Sequence, residues 1–117
     1  MSFKFENLRV WKDAIQLANE IHILTLEWPK SELYILTSQI KRVADSIALN
    51  ISEGSTGQSN SEFKRFLRYA NRSGLEVITC LYLAKGRNLI NEEYFLKYYN
   101  QTETLIVKTQ ALIKSIN

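Results

Sequence analysis

The segment from Ser59 to Gly86 most constrains what this chain can fold into, because it has the marks of one long helix. Ser59 and Glu62 fit a capping box, in which each side chain binds the backbone N–H of the other residue. Gly86 is typical of the left-handed residue that ends many helices. The roughly 26 residues between these signals would form a rod of about 39 Å at 1.5 Å per residue.

This predicted helix has two faces. At 100° per residue, the apolar side chains fall on one stripe, which predicts a core-facing helix. Its members are Phe63, Phe66, Leu67, Ala70, Gly74, Val77, Ile78, Leu81 and Ala84. Four cations, Lys64, Arg65, Arg68 and Arg72, lie together on nearly the opposite face.

Three further segments show amphipathic helical spacing, and no segment resembles a strand. The sequence therefore predicts an all-α protein, an antiparallel up-down-up-down four-helix bundle forming one domain over residues 1–117. The predicted helices span about 8–27, 31–53, 60–85 and 92–116.

Local signals set the predicted helix boundaries. Asn7 and Asn91 are candidate N-caps. Trp28 precedes Pro29, a position that disfavours helical backbone, so the first helix is expected to end there. Gly54 is the expected stop of the second helix.

Composition excludes several classes. A chain that is 45% hydrophobic and 23% charged is typical of a globular protein rather than a disordered one. No run approaches about 18 uninterrupted apolar residues, and residues 1–10 lack a secretory pattern, so neither a membrane span nor a signal peptide is predicted. Cys80 is the single cysteine, which favours a reducing, cytoplasmic setting.

The sequence predicts no enzyme, no cofactor and no metal site. His22 is the single histidine, with no cysteine or carboxylate at ligand spacing, so a structural role is favoured over a metal site. Glu53 and Glu76 could meet across two helices, but di-metal bundles also use Glu-x-x-His pairs, which are absent here.

A set of polar residues follows one flank of the second and third helices. It comprises Gln39, Ser46, Asn50, Glu53, Ser73 and Glu76. These side chains are either solvated or form an interhelical hydrogen-bond network that fixes register or subunit contacts. We favour the network, with a structural rather than a catalytic role.

The positive charge is concentrated in one region. Residues 61–90 hold six Lys or Arg against two Glu, whereas the remainder holds nine basic and ten acidic residues. Cations one turn apart repel each other unless an anion lies against them. Nucleic-acid phosphate is one such anion, and an ordinary solvated face or acids of a neighbouring helix or subunit are the alternatives.

Three segments carry a family resemblance. They are Leu8–Ala14 (LRVWKDA), Gln39–Gly54 (QIKRVADSIALNISEG) and Ser61–Leu67 (SEFKRFL). Over essentially its whole length the chain resembles the four-helix-bundle family of intervening-sequence proteins, encoded within insertions in bacterial large-subunit ribosomal RNA genes. That family includes the accessory variability determinant of diversity-generating retroelements. Residues 72–76 (RSGLE) depart from the family's usual Gly-Ser-Leu before the glutamate, adding a cation and moving the glycine.

The resemblance implies a homopentameric, barrel-like ring with a basic surface proposed to bind RNA or DNA. In the retroelement member this surface also serves a reverse-transcriptase partner. The matching basic positions are Lys41, Arg42, Lys64, Arg65, Arg68 and, by departure, Arg72, and the family's polar signature falls on the six flank residues named above. We therefore expect a self-associating protein that binds nucleic acid without strong sequence preference. The alternative is a protein-interaction scaffold whose cations pair with acidic partner groups.

Overall fold

The fold is a bundle of four long helices, seen in a computed structural model that describes residues 3–117. The helices are α1 (Arg9–Leu24), α2 (Ser38–Gly54), α3 (Asn60–Gly86) and α4 (Glu92–Ser115). No strand occurs within residues 3–117. The predicted all-α four-helix bundle is therefore confirmed.

Short links make consecutive helices antiparallel neighbours and give a rod of 44 × 22 × 21 Å. Packing is densest between α2 and α3, and α1 packs less extensively on α4 than α3 does. All four helices contribute to one core. Its fully buried side chains include Leu17, Ile21, Ile40, Ile51, Leu67 and Leu81. Each such side chain contributes about 1.5–3 kcal/mol through removal from water.

The ends of α1 differ from the sequence prediction of 8–27. Asn7 belongs to a 3₁₀ turn (Lys4–Asn7), and Leu8 occupies the N-cap position without a side-chain cap. The helix ends at Leu24 and tightens into a second 3₁₀ turn over Thr25–Glu27. Trp28 is extended (ψ 148°), as its position before proline predicts.

The start of α2 is also less regular than predicted. A 3₁₀ turn (Lys30–Glu32) leads into a π-helical turn (Leu33–Thr37), and regular α-helix begins only at Ser38. A π turn inserts an extra residue into the helical repeat. Periodicity alone does not reveal such an insertion, so the sequence predicted one continuous helix from residue 31.

The N-cap of α3 is confirmed, whereas its C-terminal signal was wrong. Ser59 Oγ accepts from the backbone N–H of Glu62 at 3.0 Å, which is one half of the predicted capping box; the Glu62 carboxylate pairs with Arg65 instead of the Ser59 N–H. Gly86 is the last helical residue, and Asn88 (φ 59°) is the left-handed residue. Leu89 N–H donates to the Ala84 carbonyl at 2.9 Å and Asn88 N–H to Lys85 at 3.1 Å, which is a Schellman motif.

Two glycines permit close helix contacts. A Cβ on Gly54 would lie 2.4 Å from Phe66 Cβ, so α2 and α3 approach closely because position 54 lacks a side chain. A Cβ on Gly74 would lie 2.9 Å from the Ile106 side chain on α4. Gly54 therefore does more than end α2, and the glycine that departs from the family pattern lies at the α3–α4 contact.

Candidate nucleic-acid interface

A row of cations follows α3 on the side away from the core. Lys64, Arg68 and Arg72 are spaced by four residues, so they occupy successive turns of one helix face. Lys64 is half-buried, and both arginines are exposed. Within residues 3–117, none of the three forms an ion pair with a carboxylate. Their mutual repulsion is therefore not relieved inside the described part of the chain.

Two members of this row, Arg68 and Arg72, line one wall of a cleft between α3 and α4, whereas Lys64 lies outside it. Because the two helices are antiparallel, the C-terminal turns of α4 lie beside the N-terminal half of α3. The cleft has a volume of about 430 Å³ and is lined by Arg68, Asn71, Arg72, Leu75, Gln110, Ile113 and Lys114. No acidic side chain contributes to this lining. We call these seven residues the α3–α4 cleft.

Two cations of the predicted set contact aromatic rings on their own helix. The Arg72 guanidinium lies 5.7 Å from the Tyr69 ring centre. The Arg65 guanidinium lies 5.5 Å from the Phe66 ring centre, and its Nη2 lies 3.3 Å from Glu62 Oε1. Arg65 is thus partly neutralised by a local acid. The ring contact restrains Arg72 without neutralising it.

Lys41 and Arg42 lie away from this cleft. Lys41 lines a separate cleft of about 210 Å³ beside Trp28 and Thr37. Arg42 Nη2 donates to Gln39 Oε1 at 3.0 Å. The six predicted basic residues therefore do not form one continuous patch.

Sequence reasoning missed three polar members of the α3–α4 cleft: Asn71, Gln110 and Lys114. The two α4 residues are far from α3 in sequence, and only the pairing of the two helices brings them together. Lys114, in the last turn of α4, could have been found by placing the ends of antiparallel helices side by side.

Three members of the predicted polar set form an interhelical network. Ser46 Oγ and Ser73 Oγ lie 2.9 Å apart, joining α2 to α3. Asn50 Nδ2 donates to the Ser46 carbonyl at 2.9 Å and to Ser46 Oγ at 3.1 Å. Ser73 is 7% exposed, so this hydroxyl is satisfied inside the helix contact rather than by bulk water.

The other three members lie outside that network. Gln39 binds Arg42, whereas Glu53 and Glu76 are exposed and their carboxylates have no hydrogen-bond partner within residues 3–117. The contact between Gly54 and Phe66 places Glu53 near the level of Phe66 on α3. Glu76 lies ten residues further along, about 15 Å at 1.5 Å per residue, so the two carboxylates do not meet.

Cys80 is buried and free on α3. Burial raises the pKa of its thiol above the ordinary value of 9.0, and the Glu76 carboxylate raises this pKa further. Arg42 and Arg87 act in the opposite direction. The neutral thiol is therefore the favoured form, whereas a nucleophilic cysteine needs a lowered pKa.

His22 has a partner that sequence spacing did not indicate. Its Nε2 lies 3.0 Å from Asp45 Oδ1, which links α1 to α2. Among residues 3–117, no group of three or more His, Cys, Asp or Glu side chains is placed to hold a metal ion. Nor does any helix in that range have the length and apolarity needed to cross a membrane.

Fold and surface together define a class, a helical-bundle protein that presents a cationic cleft between its third and fourth helices. The family model for 23S rRNA-intervening sequence proteins matches residues 6–111. The chain belongs to that family, in agreement with the resemblance carried by its first three helices.

A solved structure with the same fold comes from Bacteroides thetaiotaomicron VPI-5482 and is described as a protein with unknown function from the S23 ribosomal protein family. Its TM-score to this chain is 0.81 at 22% sequence identity, with 91% of this chain and 99% of that chain covered. At this identity the likeness concerns the fold. No curated protein sequence matches the chain significantly.

Proposed function

We propose that this protein binds RNA or DNA without catalysis and without strong sequence preference, through the basic face of α3. The observation that carries the proposal is the α3–α4 cleft, in which Arg68, Arg72 and Lys114 converge with no acidic side chain in the lining. Three cations held together by two rigid helices are a phosphate-binding surface of the kind that drives association by counterion release.

The distribution of charge supports the same proposal. The net charge of +3 is modest, but residues 61–90 carry all of the excess cation. A concentrated positive field attracts a polyanion more strongly than the same charge spread over the surface. The family's association with intervening sequences of 23S rRNA makes RNA the first polyanion to test.

Self-association is part of the proposal. Each subunit offers few phosphate contacts, so a ring of subunits would multiply the affinity through effective concentration. Leu49 on α2 is 64% exposed and lies one turn from Ser46 and Glu53 on the polar flank. An exposed leucine beside the unpaired Glu53 carboxylate suits an interface between subunits, and the pentamer implied by the family resemblance is the expected state.

The test is fluorescence anisotropy of labelled single- and double-stranded RNA and DNA, titrated with protein at low and physiological salt. We expect the logarithm of the binding constant to fall linearly with the logarithm of salt concentration. Absence of binding to every probe at low salt would overturn the proposal. Multi-angle light scattering of the same samples measures the subunit number.

The second candidate is a scaffold that binds a protein partner, and a different surface favours it. At one end of the rod, large apolar side chains are exposed on the last turn of α1, on the 3₁₀ turn that follows it and on the π turn before α2. They are Ile23, Leu26, Leu33, Tyr34 and Ile35, exposed by 66%, 79%, 43%, 89% and 60%. Exposed apolar surface of this kind is typical of protein contacts.

One pair of measurements separates the candidates. Tyr34→Ser, which does not alter the net charge, should leave nucleic-acid affinity unchanged if the basic face of α3 is the binding surface. A scaffold that uses the exposed apolar end would instead retain its partner when Arg68 and Arg72 are replaced and lose it when Tyr34 is replaced. A scaffold whose cations pair with acidic partner groups would lose its protein partner when Arg68 and Arg72 are replaced. We assign the protein to the cytoplasm, since its single cysteine is a buried free thiol that suits a reducing compartment.

A further inference from the structure

We infer that the α3–α4 cleft accepts one unstacked base of a single-stranded nucleic acid. The inference rests on the proposed function, since it assumes that the neighbouring cations hold the phosphate backbone. It narrows the ligand from nucleic acid in general to single strands. A duplex keeps its bases stacked and cannot place one in a cleft between two protein helices.

The lining of the cleft suits a base rather than a phosphate alone. Its volume of about 430 Å³ lies in the range of about 300–1,000 Å³ that is typical of small-ligand sites. Leu75 and Ile113 provide apolar surface for the flat face of a base. Leu75 is 58% exposed, so its side chain is accessible to a base that enters the cleft.

Polar groups in the same cleft match the edge of a base. Asn71 on α3 and Gln110 on α4 each present a carboxamide, which both donates and accepts hydrogen bonds. Asn71 is half-buried and Gln110 is exposed, and neither carboxamide has a hydrogen-bond partner within residues 3–117, so both are free to bind a ligand. Two unpaired carboxamides on facing helices can satisfy the mixed donors and acceptors of any base, which agrees with binding that lacks strong sequence preference.

The cations lie where the phosphate backbone of the nucleic-acid strand would pass. Arg68, Arg72 and Lys114 share the cleft with the carboxamides, so phosphates on either side of an inserted base would meet positive charge. The Arg72 guanidinium is restrained by its contact with the Tyr69 ring, 5.7 Å away, and offers a further flat surface for stacking. The apolar side chains, the two carboxamides and the three cations together form a site for one nucleotide of a flexible strand.

The experiment compares three labelled probes with the full-length protein at low salt. The probes are a short single-stranded RNA, its blunt duplex, and the same single strand made abasic at every internal position. Base insertion predicts that the intact strand binds about five- to tenfold more tightly than the abasic strand, in line with a stacked and hydrogen-bonded base. Equal affinity for intact and abasic strands would overturn the inference, and this comparison needs no variant that might unfold.

Variants then locate the site. Asn71→Leu and Gln110→Leu keep the charge, and each should weaken binding of the intact strand about fivefold while leaving abasic and duplex affinities unchanged. Asn100→Leu is the matched control, a carboxamide on α4 that lines the α1–α4 groove instead. Equal losses in all three variants, or none in the cleft variants, would overturn the inference while leaving the proposed function intact. Failure of the wild-type protein to bind any probe would overturn both.

Discussion

The hydroxyl oxygens of Ser46 and Ser73 lie 2.9 Å apart across the contact between α2 and α3. Asn50 adds two hydrogen bonds to Ser46 from the next turn of α2. Because a polar pair in an apolar contact is satisfied only when the two helices are aligned correctly, this network specifies their register. The close approach at Gly54 and Phe66 fixes the same register further along the helices.

The Ser46–Ser73 bond can be measured with a double-mutant cycle. Ser46→Ala and Ser73→Ala should each lower the free energy of unfolding by about 1 kcal/mol. The double variant should show a coupling energy of about 0.5–1.5 kcal/mol, since the two residues share one interaction. Urea unfolding of the four proteins checks this, and strictly additive losses would contradict a direct bond.

Asn50 tests whether the network also supports assembly. Asn50→Leu removes the donor to Ser46 and places an apolar side chain on the polar flank. We expect lower cooperativity of unfolding or a changed subunit number by light scattering. If both stay as in wild type, Asn50 specifies neither the register nor the oligomer.

Gly54 and Gly86 are the last residues of α2 and α3, and replacing each by alanine should have opposite effects on stability. Gly54→Ala should destabilise the fold by about 1–3 kcal/mol, because the added carbon would lie 2.4 Å from Phe66 Cβ. Gly86→Ala should be neutral or stabilise by up to about 1 kcal/mol, since nothing lies within 4 Å of the added carbon and alanine favours helix. Thermal unfolding distinguishes the two variants, and equal effects would refute the close contact.

The Cys80 thiol predicts a specific pH dependence of stability. Its pKa is raised above 9.0 in the folded protein by burial and by Glu76. The unfolded thiol therefore ionises first as pH rises, so this group's contribution to the free energy of unfolding is fully present below pH 9 and decreases above it. Wild type should lose stability more steeply above pH 9 than Cys80→Ala, measured by urea unfolding. Parallel curves would mean that Cys80 titrates normally.

Sequence patterns predicted the parts of this fold that depend on local chemistry. Apolar periodicity located all four helices, and the caps at Ser59 and Asn91 follow from side chains that bind backbone N–H groups within one turn. Asn88 was missed because two signals competed. Gly86 is the more common C-terminal residue, but Asn also tolerates the left-handed region and takes that position here.

The candidate site was predicted only in part, because its geometry depends on how helices pair. The row of Lys64, Arg68 and Arg72 follows from spacing within one helix. The cleft also needs Lys114 and Gln110, which belong to a different helix. Helix pairing also explains why Lys41 and Arg42 were predicted as part of the site but lie away from it. Both are on α2, which does not line the α3–α4 cleft.

Reversing charge in the α3–α4 cleft tests the central claim most directly. The variant is Arg68→Glu with Arg72→Glu, and the matched control is Lys12→Glu with Lys30→Glu, which changes net charge equally at exposed residues outside the cleft. Circular dichroism and light scattering should be unchanged in both. We expect the cleft variant to bind single-stranded RNA at least about tenfold more weakly at low salt. The slope of the logarithm of its binding constant against the logarithm of salt concentration should become shallower by roughly 1.4, since each lost phosphate contact removes about 0.7.

The control should lose much less affinity and keep the wild-type slope, because its cations do not touch the strand. Equal losses of affinity in the two variants would mean that overall charge alone draws the polyanion. Unchanged binding by the cleft variant would contradict the account, and the basic face of α3 would no longer be the nucleic-acid surface.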